Sequence, residues 1–318
     1  MEQPQPMKLQ TFLERMFNQK RVPQALLFYG KEGVGKREIA FELSKALLCL
    51  NAQYPACGVC ESCRLLKDFF SQPEEKLKVY EDDKFVYLQG DHPDFIYLKP
   101  EKTEIKVDQI RAVKDFVYIK PALSPKKVVV IYNADAMNPY AQNALLKVLE
   151  EPPLDTHFIL VSHNLNSILP TIKSRCFMLE VPPFTKEELA QRTGIKDDLL
   201  LELSEGSLIL LESLKEKKEI VETALKFWQL DWVGLFKLAN KLEDWDTEDK
   251  LLFLKILSGL IHKKYLQERD ERYKLMLDRL HFAMEYLGKG INLKLTLFYL
   301  YLKGGDKNAS YKGALSGH

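Results

Sequence analysis

The sequence predicts an α/β domain built on a parallel sheet, followed by two helical regions. Two observations carry that expectation. The apolar run Ala25-Leu26-Leu27-Phe28-Tyr29 ends in a glycine-rich turn, Gly30-Lys31-Glu32-Gly33-Val34-Gly35-Lys36, and a helical pattern (Ile39, Leu43, Ala46, Leu47) follows. Strand, glycine turn and helix open a nucleotide-binding unit. From about residue 184 onward the apolar positions recur near once per helical turn, as in Leu251, Leu254, Leu257 and Ile261, which is helical spacing.

The elements follow in order. A helix-like stretch precedes the first strand, and a cysteine cluster follows the helix after the turn. Residues 66–90 are charged and read as an irregular surface excursion. Phe95 to Leu98 reads as a short strand, and Val107, Ile110, Val113 and Val117 have helical spacing. Val128 to Tyr132 is uninterruptedly apolar, as parallel strands buried on both faces are. Asn143 to Glu150 reads as a helix stopped by Pro152-Pro153. Phe158 to Val161 supplies another buried strand and Phe177 to Val181 a last one. Pro182-Pro183 marks a hinge, Leu293 to Leu302 a terminal helix, and there are no internal repeats.

Composition narrows the class. The 318 residues suggest two or three domains at roughly 150 residues each. With 46% hydrophobic and 29% charged residues, a disordered chain, a fibre and a disulfide-stapled miniprotein are excluded. No apolar run approaches the ~18 to 20 residues of a membrane span. The N-terminal MEQPQPMKLQ has no apolar signal core, so a cytoplasmic protein is expected. A net charge of +1 argues against binding nucleic acid by charge alone.

Gly30-x4-Gly35-Lys36 fits phosphate-loop spacing. Gly30, Gly33 and Gly35 let backbone N–H groups approach phosphate oxygens, and Lys36 reaches the terminal phosphates. The next position should carry a hydroxyl for Mg²⁺, but it is Arg37, which cannot hold a cation. The candidate second strand exits through Tyr132-Asn133, where an acidic pair would hold Mg²⁺ and polarise water. Asp135 lies too far along to replace it without a register shift. ATP binding through Lys36 stays open; hydrolysis is not expected.

Cys49-x7-Cys57-x2-Cys60-x2-Cys63 gathers four of the five cysteines. In a chain without a secretion signal, such clustering points to Zn²⁺ rather than disulfides. Four thiolates fill a tetrahedral site and leave no place for a reactive water, so the zinc is expected to be structural. The six histidines are scattered and read as structural or exposed.

Several strings together resemble one family. They are the phosphate loop with its cysteines, His92-Pro93-Asp94, Val107-Asp108-Gln109-Ile110-Arg111, Ala134-Asp135-Ala136-Met137, NALLKVLEEPP at 143–153, and Leu169-Pro170-Thr171-Ile172-Lys173-Ser174-Arg175-Cys176. They are similar to the delta-prime subunits of bacterial DNA polymerase III clamp loaders, members of the AAA+ class. The resemblance is close over the first ~180 residues and holds only in helical character beyond.

It implies an AAA+ α/β domain at 1–182 with a zinc module at 49–63, a helical lid at 183–213, an all-α collar at 214–305 and a flexible tail at 306–318. It implies a pentameric ring with gamma/tau and delta subunits that places a sliding clamp on primed DNA, powered by ATP in the neighbours. Active members carry an acidic pair at Tyr132-Asn133 and an arginine at Ile209, after Gly206-Ser207-Leu208. Both are missing here, which implies a non-hydrolysing stator. Arg175 is implied to reach across a subunit interface to the γ-phosphate in the adjacent site. There a guanidinium stabilises transition-state charge, and lysine would lack its planar fork. The charges of Lys147, Glu150 and Glu151 read as solvated helix-end groups. Three competing readings are an active motor subunit of the same assembly, a P-loop phosphotransferase with a zinc-bound lid, and a zinc-dependent DNA-binding module.

Overall fold

The structure is a computed structural model that describes residues 9–287 and 291–304. The expected tail at 306–318, and the first eight residues on which the export reading rests, lie outside the described residues. The chain divides into two compact units, Met1–Pro183 and Phe184–His318.

In the first unit the strands are β1 (Ala25–Tyr29), β2 (Lys78–Glu81), β3 (Lys84–Leu88), β4 (Phe95–Leu98), β5 (Lys127–Tyr132), β6 (Thr156–Ser162) and β7 (Phe177–Glu180). They form one seven-stranded sheet in the order β2-β3-β4-β5-β6-β1-β7. From β4 to β7 every neighbouring pair is parallel. Helices α1 (Leu9–Asn18), α2 (Lys36–Leu48), α3 (Glu61–Leu66), α4 (Glu74–Leu77), α5 (Val107–Tyr118), α6 (Pro139–Glu150) and α7 (Pro170–Lys173) supply the connections and the covering layers.

The strand alternation explains why the central runs are wholly apolar. Ala25 and Leu27 of β1, with Val129 and Ile131 of β5, face one core, which Ile110, Val113, Ala141 and Leu145 of α5 and α6 complete. Leu26, Phe28, Val128 and Val130 face the opposite core, with Leu13 of α1 and Ala40 and Leu43 of α2. Ala25 to Phe28 of β1 and Val128 to Ile131 of β5 are therefore each buried on one side or the other, and a fully buried Leu or Phe contributes about 1.5–3 kcal/mol.

The reading of 66–90 as irregular is corrected. That stretch contains α4 and an antiparallel hairpin, β2-β3, whose inner strand joins the sheet through Leu88 opposite Tyr97. The sheet is accordingly mixed, with an antiparallel edge. The turn residues Asp82 and Asp83 both have positive φ, 49° and 59°, the conformation of a tight two-residue hairpin loop. Phe69, ahead of the hairpin, is buried and packs edge-on against Phe95 at 5.1 Å.

The second unit is helical: α8 (Lys186–Thr193), α9 (Asp198–Leu203), α10 (Leu208–Glu216), α11 (Lys218–Leu225), α12 (Trp232–Asp244), α13 (Thr247–Glu268), α14 (Glu271–Glu285) and α15 (Leu293–Gly304). Most helices begin where a short polar side chain can take up a free N–H. Thr185, Asp197, Ser207, Asp231, Asp246 and Asp270 each cap one this way. A small cluster around Leu189, Leu201 and Leu211 forms one core. A larger one gathers Phe227, Leu235, Phe253, Leu257, Ile261, Met276 and Leu297. No helix among the described residues is long and apolar enough to cross a membrane.

Candidate functional site

The glycine turn runs from the end of β1 to the start of α2. Gly30, Gly33 and Gly35 all adopt positive φ (147°, 75° and 84°), which L side chains rarely do. Gly30 is further constrained, because a Cβ there would meet the Val181 carbonyl oxygen at 2.5 Å. Lys36 opens α2 and is only 2% exposed. Its Nζ donates to the Gly30 carbonyl at 2.8 Å and to that of Lys31. Burial lowers its pKa to about 8, while Glu32 and Asp135 act in the opposite sense. It therefore remains mostly a cation at neutral pH, set at the mouth of the loop.

A guanidinium and a series of rings stand beside the turn. Arg37 lies over the Phe70 ring at 5.0 Å and pairs with Glu38 at 3.4 Å. Phe70 meets Tyr97 edge-on at 5.2 Å, Tyr97 stacks on Tyr132 at 5.9 Å, and Tyr132 meets His163 edge-on at 5.9 Å. These rings line the ends of β4, β5 and β6, where an α/β sheet presents its ligand groups. Burial raises the pKa of both Tyr97 and Tyr132, so each phenol stays protonated, with the Arg37 charge opposing. A protonated phenol is a poor ligand for Mg²⁺, which takes hard anionic oxygens.

Asp135 is nearer the loop than its place in the sequence suggests. Asn133 takes a left-handed conformation and a 3₁₀ turn, Ala134–Ala136, follows. This folds the carboxylate back within electrostatic reach of Lys36. One of its oxygens accepts the His163 backbone N–H at 2.8 Å. His163 is also tied to Asn133 Oδ1 at 2.6 Å through Nε2.

The four cysteines converge. Cys49 caps the end of α2, Cys60 precedes α3 and Cys63 lies within it. The sulfurs of Cys49, Cys57, Cys60 and Cys63 lie within 4.8 Å of one another. Thiolates bound about 2.3 Å from a tetrahedral Zn²⁺ would stand about 3.8 Å apart, and Cys57 and Cys63 are 3.8 Å apart. The donor set therefore fits a metal ion. The backbone N–H groups of Val59 and Cys60 hold the Cys57 thiol down at about 6, while burial pushes Cys63 up to about 12. Cys176 belongs elsewhere; buried in the sheet core, its thiol is pushed to about 12.

Arg175 follows α7, just before β7. Its Nη2 donates to Glu150 Oε1 at 2.7 Å and its Nη1 to the Thr171 carbonyl at 3.2 Å. The pair is exposed, with 36% and 44% of the two side chains open to solvent. Glu150 is thus not merely a solvated helix end: it is the resting partner of Arg175. The segment is anchored by Gln142, a buried residue the motif reading passes over. Its Nε2 donates to the carbonyls of Met137 (3.1 Å) and Ser167 (2.8 Å), and its Oε1 accepts the Leu169 N–H at 2.8 Å. Only its neighbourhood, one residue before NALLKVLEEPP, could have drawn attention to it. In the second unit Ile209 lies in the first turn of α10, half-exposed. Of the histidines, His92 and His157 are buried and hydrogen-bonded, in keeping with structural roles.

Comparison with known proteins gives a consistent picture. The family described as "DNA polymerase III, delta subunit" matches residues 5–86 and 87–185. A DNA polymerase III subunit delta' from Pseudomonas aeruginosa is 42% identical over 50% of this chain and 43% of that protein. That of Escherichia coli K12 is 33% identical over 58% of this chain and 52% of its own length. The counterpart from Buchnera aphidicola subsp. Schizaphis graminum is 27% identical over 90% and 80%. The chain spans about half the length of the first curated relatives it matches, 43%, 50% and 40%. Among solved structures, a DNA polymerase III gamma subunit-related protein of Thermotoga maritima aligns over 92% of this chain and 98% of its own. Its TM-score is 0.53 at 21% identity, a likeness of fold alone.

Proposed function

The chain belongs to the DNA polymerase III delta-subunit family, and from that premise we propose that it serves in a clamp loader as a subunit that does not itself hydrolyse ATP. The observation that carries this reading is the ring stack Phe70-Tyr97-Tyr132-His163, with Arg37 beside it, where Mg²⁺ ligands would be required. Phosphoryl transfer in P-loop proteins depends on a bound cation to neutralise charge developing on the phosphates. Lys36 supplies one positive charge, and the nearby Asp135 carboxylate is engaged by the His163 N–H. The loop then serves as a structural or weakly nucleotide-binding element, and the chemistry passes to a neighbour.

In this reading the chain joins gamma/tau and delta subunits in a pentameric, cytoplasmic ring that sets a sliding clamp on primed DNA. The lid comprises residues 183–213 and the collar residues 214–305. Arg175 serves in trans. Released from Glu150, its guanidinium presents two parallel N–H donors to a γ-phosphate, and such bidentate geometry suits phosphate oxygens. The release is cheap, since an exposed ion pair is worth about 0–1 kcal/mol. Cys49, Cys57, Cys60 and Cys63 hold a structural Zn²⁺ that stabilises the segment after α2.

The test is ATP turnover by the full chain alone, with Mg²⁺. Release of phosphate no faster than the buffer blank is expected. Brisk, Mg²⁺-dependent turnover by the isolated chain would overturn the proposal.

A further inference from the structure

One buried polar node joins the cysteine module to the sheet. Leu48, the residue before Cys49, presents its carbonyl to two hydroxyls, Ser62 Oγ at 2.7 Å and Ser124 Oγ at 2.8 Å. Ser62 is the residue before Cys63, so a single hydroxyl links the segments that bear the first and last thiols. His92 Nε2 lies 2.8 Å from Ser62 Oγ and 3.3 Å from Ser124 Oγ. Its Nδ1 accepts the Asp94 N–H at 3.1 Å. Asp94 in turn accepts the N–H groups of Ala122 (2.7 Å), Leu123 (2.8 Å) and Ser124 (2.8 Å), and so fixes the loop that delivers Ser124.

The protons in this node close. Because Nδ1 is an acceptor, the neutral ring carries its proton on Nε2 and donates it to Ser62 Oγ. Both serines then donate to Leu48, whose carbonyl oxygen has two lone pairs and uses both. Ser62, His92, Asp94 and Ser124 are all buried. A buried network satisfied at every member is rigid, because breaking any one bond leaves an unpaired polar group in a low dielectric.

The node touches only one side of the cysteine cluster. Cys49 and Cys63 are buried beside it, whereas Cys57 and Cys60 sit half-exposed on the outer turn. The hydrogen bonds of the node need no ion, so they can set the spacing of the inner sulfurs before one arrives. We infer that Ser62, His92 and Ser124 are positioning residues for the metal centre. They lock the two inner thiols at ligating distance from the sheet side, and the outer pair closes over the ion. The inference rests on the reading of the four thiols as a metal site. Outer partners that orient metal ligands typically change metal affinity 10- to 100-fold.

The experiment measures Zn²⁺ affinity of the full chain by competition with a chromophoric chelator. Ser124→Ala is the central variant, because Ser124 lies far along the chain from any of the four thiols. Ser62→Ala and His92→Gln accompany it. Ser44→Ala is the control: Ser44 is equally buried, lies in α2 and bonds only to the Ala40 carbonyl, at 2.7 Å. Ser124→Ala and Ser62→Ala are expected to weaken zinc binding about tenfold or more, and Ser44→Ala to leave it unchanged. Melting of each metal-free variant is measured alongside, and a loss of zinc affinity beyond what its loss of stability accounts for separates thiol placement from general destabilisation. Wild-type zinc affinity in Ser124→Ala overturns the inference and leaves the metal reading standing. A wild-type chain that takes up no zinc overturns both.

Discussion

Replacing Arg175 with alanine separates what this side chain does at rest from what it is proposed to do in an assembly. At rest it makes one exposed ion pair with Glu150, at 2.7 Å, and one bond to a loop carbonyl. Such a pair contributes about 0–1 kcal/mol, so the variant should melt within about 4 °C of wild type, the shift expected for ~1 kcal/mol in a unit of 150–250 residues. Delivered to a neighbour's γ-phosphate, the same guanidinium is worth about 10³ to 10⁵ in rate, or about 4 to 7 kcal/mol of barrier. The two effects differ several-fold in free energy. The assay is ATP turnover by a reconstituted loader in the presence of clamp and primed DNA, with gel filtration to verify assembly. A loss of at least a hundredfold is expected with ring size unchanged. Arg175→Lys should recover only part of it, because one ammonium cannot reproduce the fork, and Glu150→Gln should stay active. Unchanged turnover by an intact Arg175→Ala assembly would refute the finger and leave Arg175 as a surface ion pair.

Other outcomes follow from the same geometry. Gly30→Ala should destabilise the first unit by about 2 to 4 kcal/mol in chemical denaturation, since the new Cβ meets a backbone oxygen at 2.5 Å and φ is +147°; a wild-type midpoint would remove the steric argument. Gln142→Ala leaves two carbonyls and one N–H without their partner and should cost about 2 to 3 kcal/mol, with partial loss of the Arg175-dependent turnover. Stability should fall on acidification. Burial, and then the Lys126 charge, lowers the His157 pKa to about 4, whereas the unfolded ring titrates near 6.5. The unfolded chain therefore binds more protons across that window, and on the order of 3 kcal/mol is lost as pH drops from about 6.5 to 4. His92 and His163, also lowered by burial, act in the same direction. His157→Gln should flatten that limb of a urea-midpoint profile against pH. Chelation of the metal should lower the melting temperature of the first unit and expose the four thiols to alkylation, with about one zinc released per chain.

Local sequence determined much of this protein. Glycines at Gly30, Gly33 and Gly35 announce a turn that other residues cannot make, and the spacing of Cys57, Cys60 and Cys63 announces a knuckle, because both are properties of a few adjacent residues. The apolar runs within β1, β5 and β6 mark central strands for the same reason: with both faces covered, the middle of each strand is apolar on both sides. The hairpin at 78–88 was not legible. Its outer strand is largely solvent-facing, so its charges resemble those of a loop, and only the edge of a finished sheet makes it a strand. The sequence shows Arg37 and Tyr132-Asn133 but not what surrounds them. Phe70, Tyr97, Tyr132 and His163 come from four separate segments, and only the stacking of strand ends brings their rings together. The same holds for Glu150 against Arg175, and for Leu48, Ser62, His92 and Ser124. Periodicity and turn chemistry act within a few residues of chain, whereas a buried hydrogen bond between distant segments exists only once the cores have fixed where each segment lies.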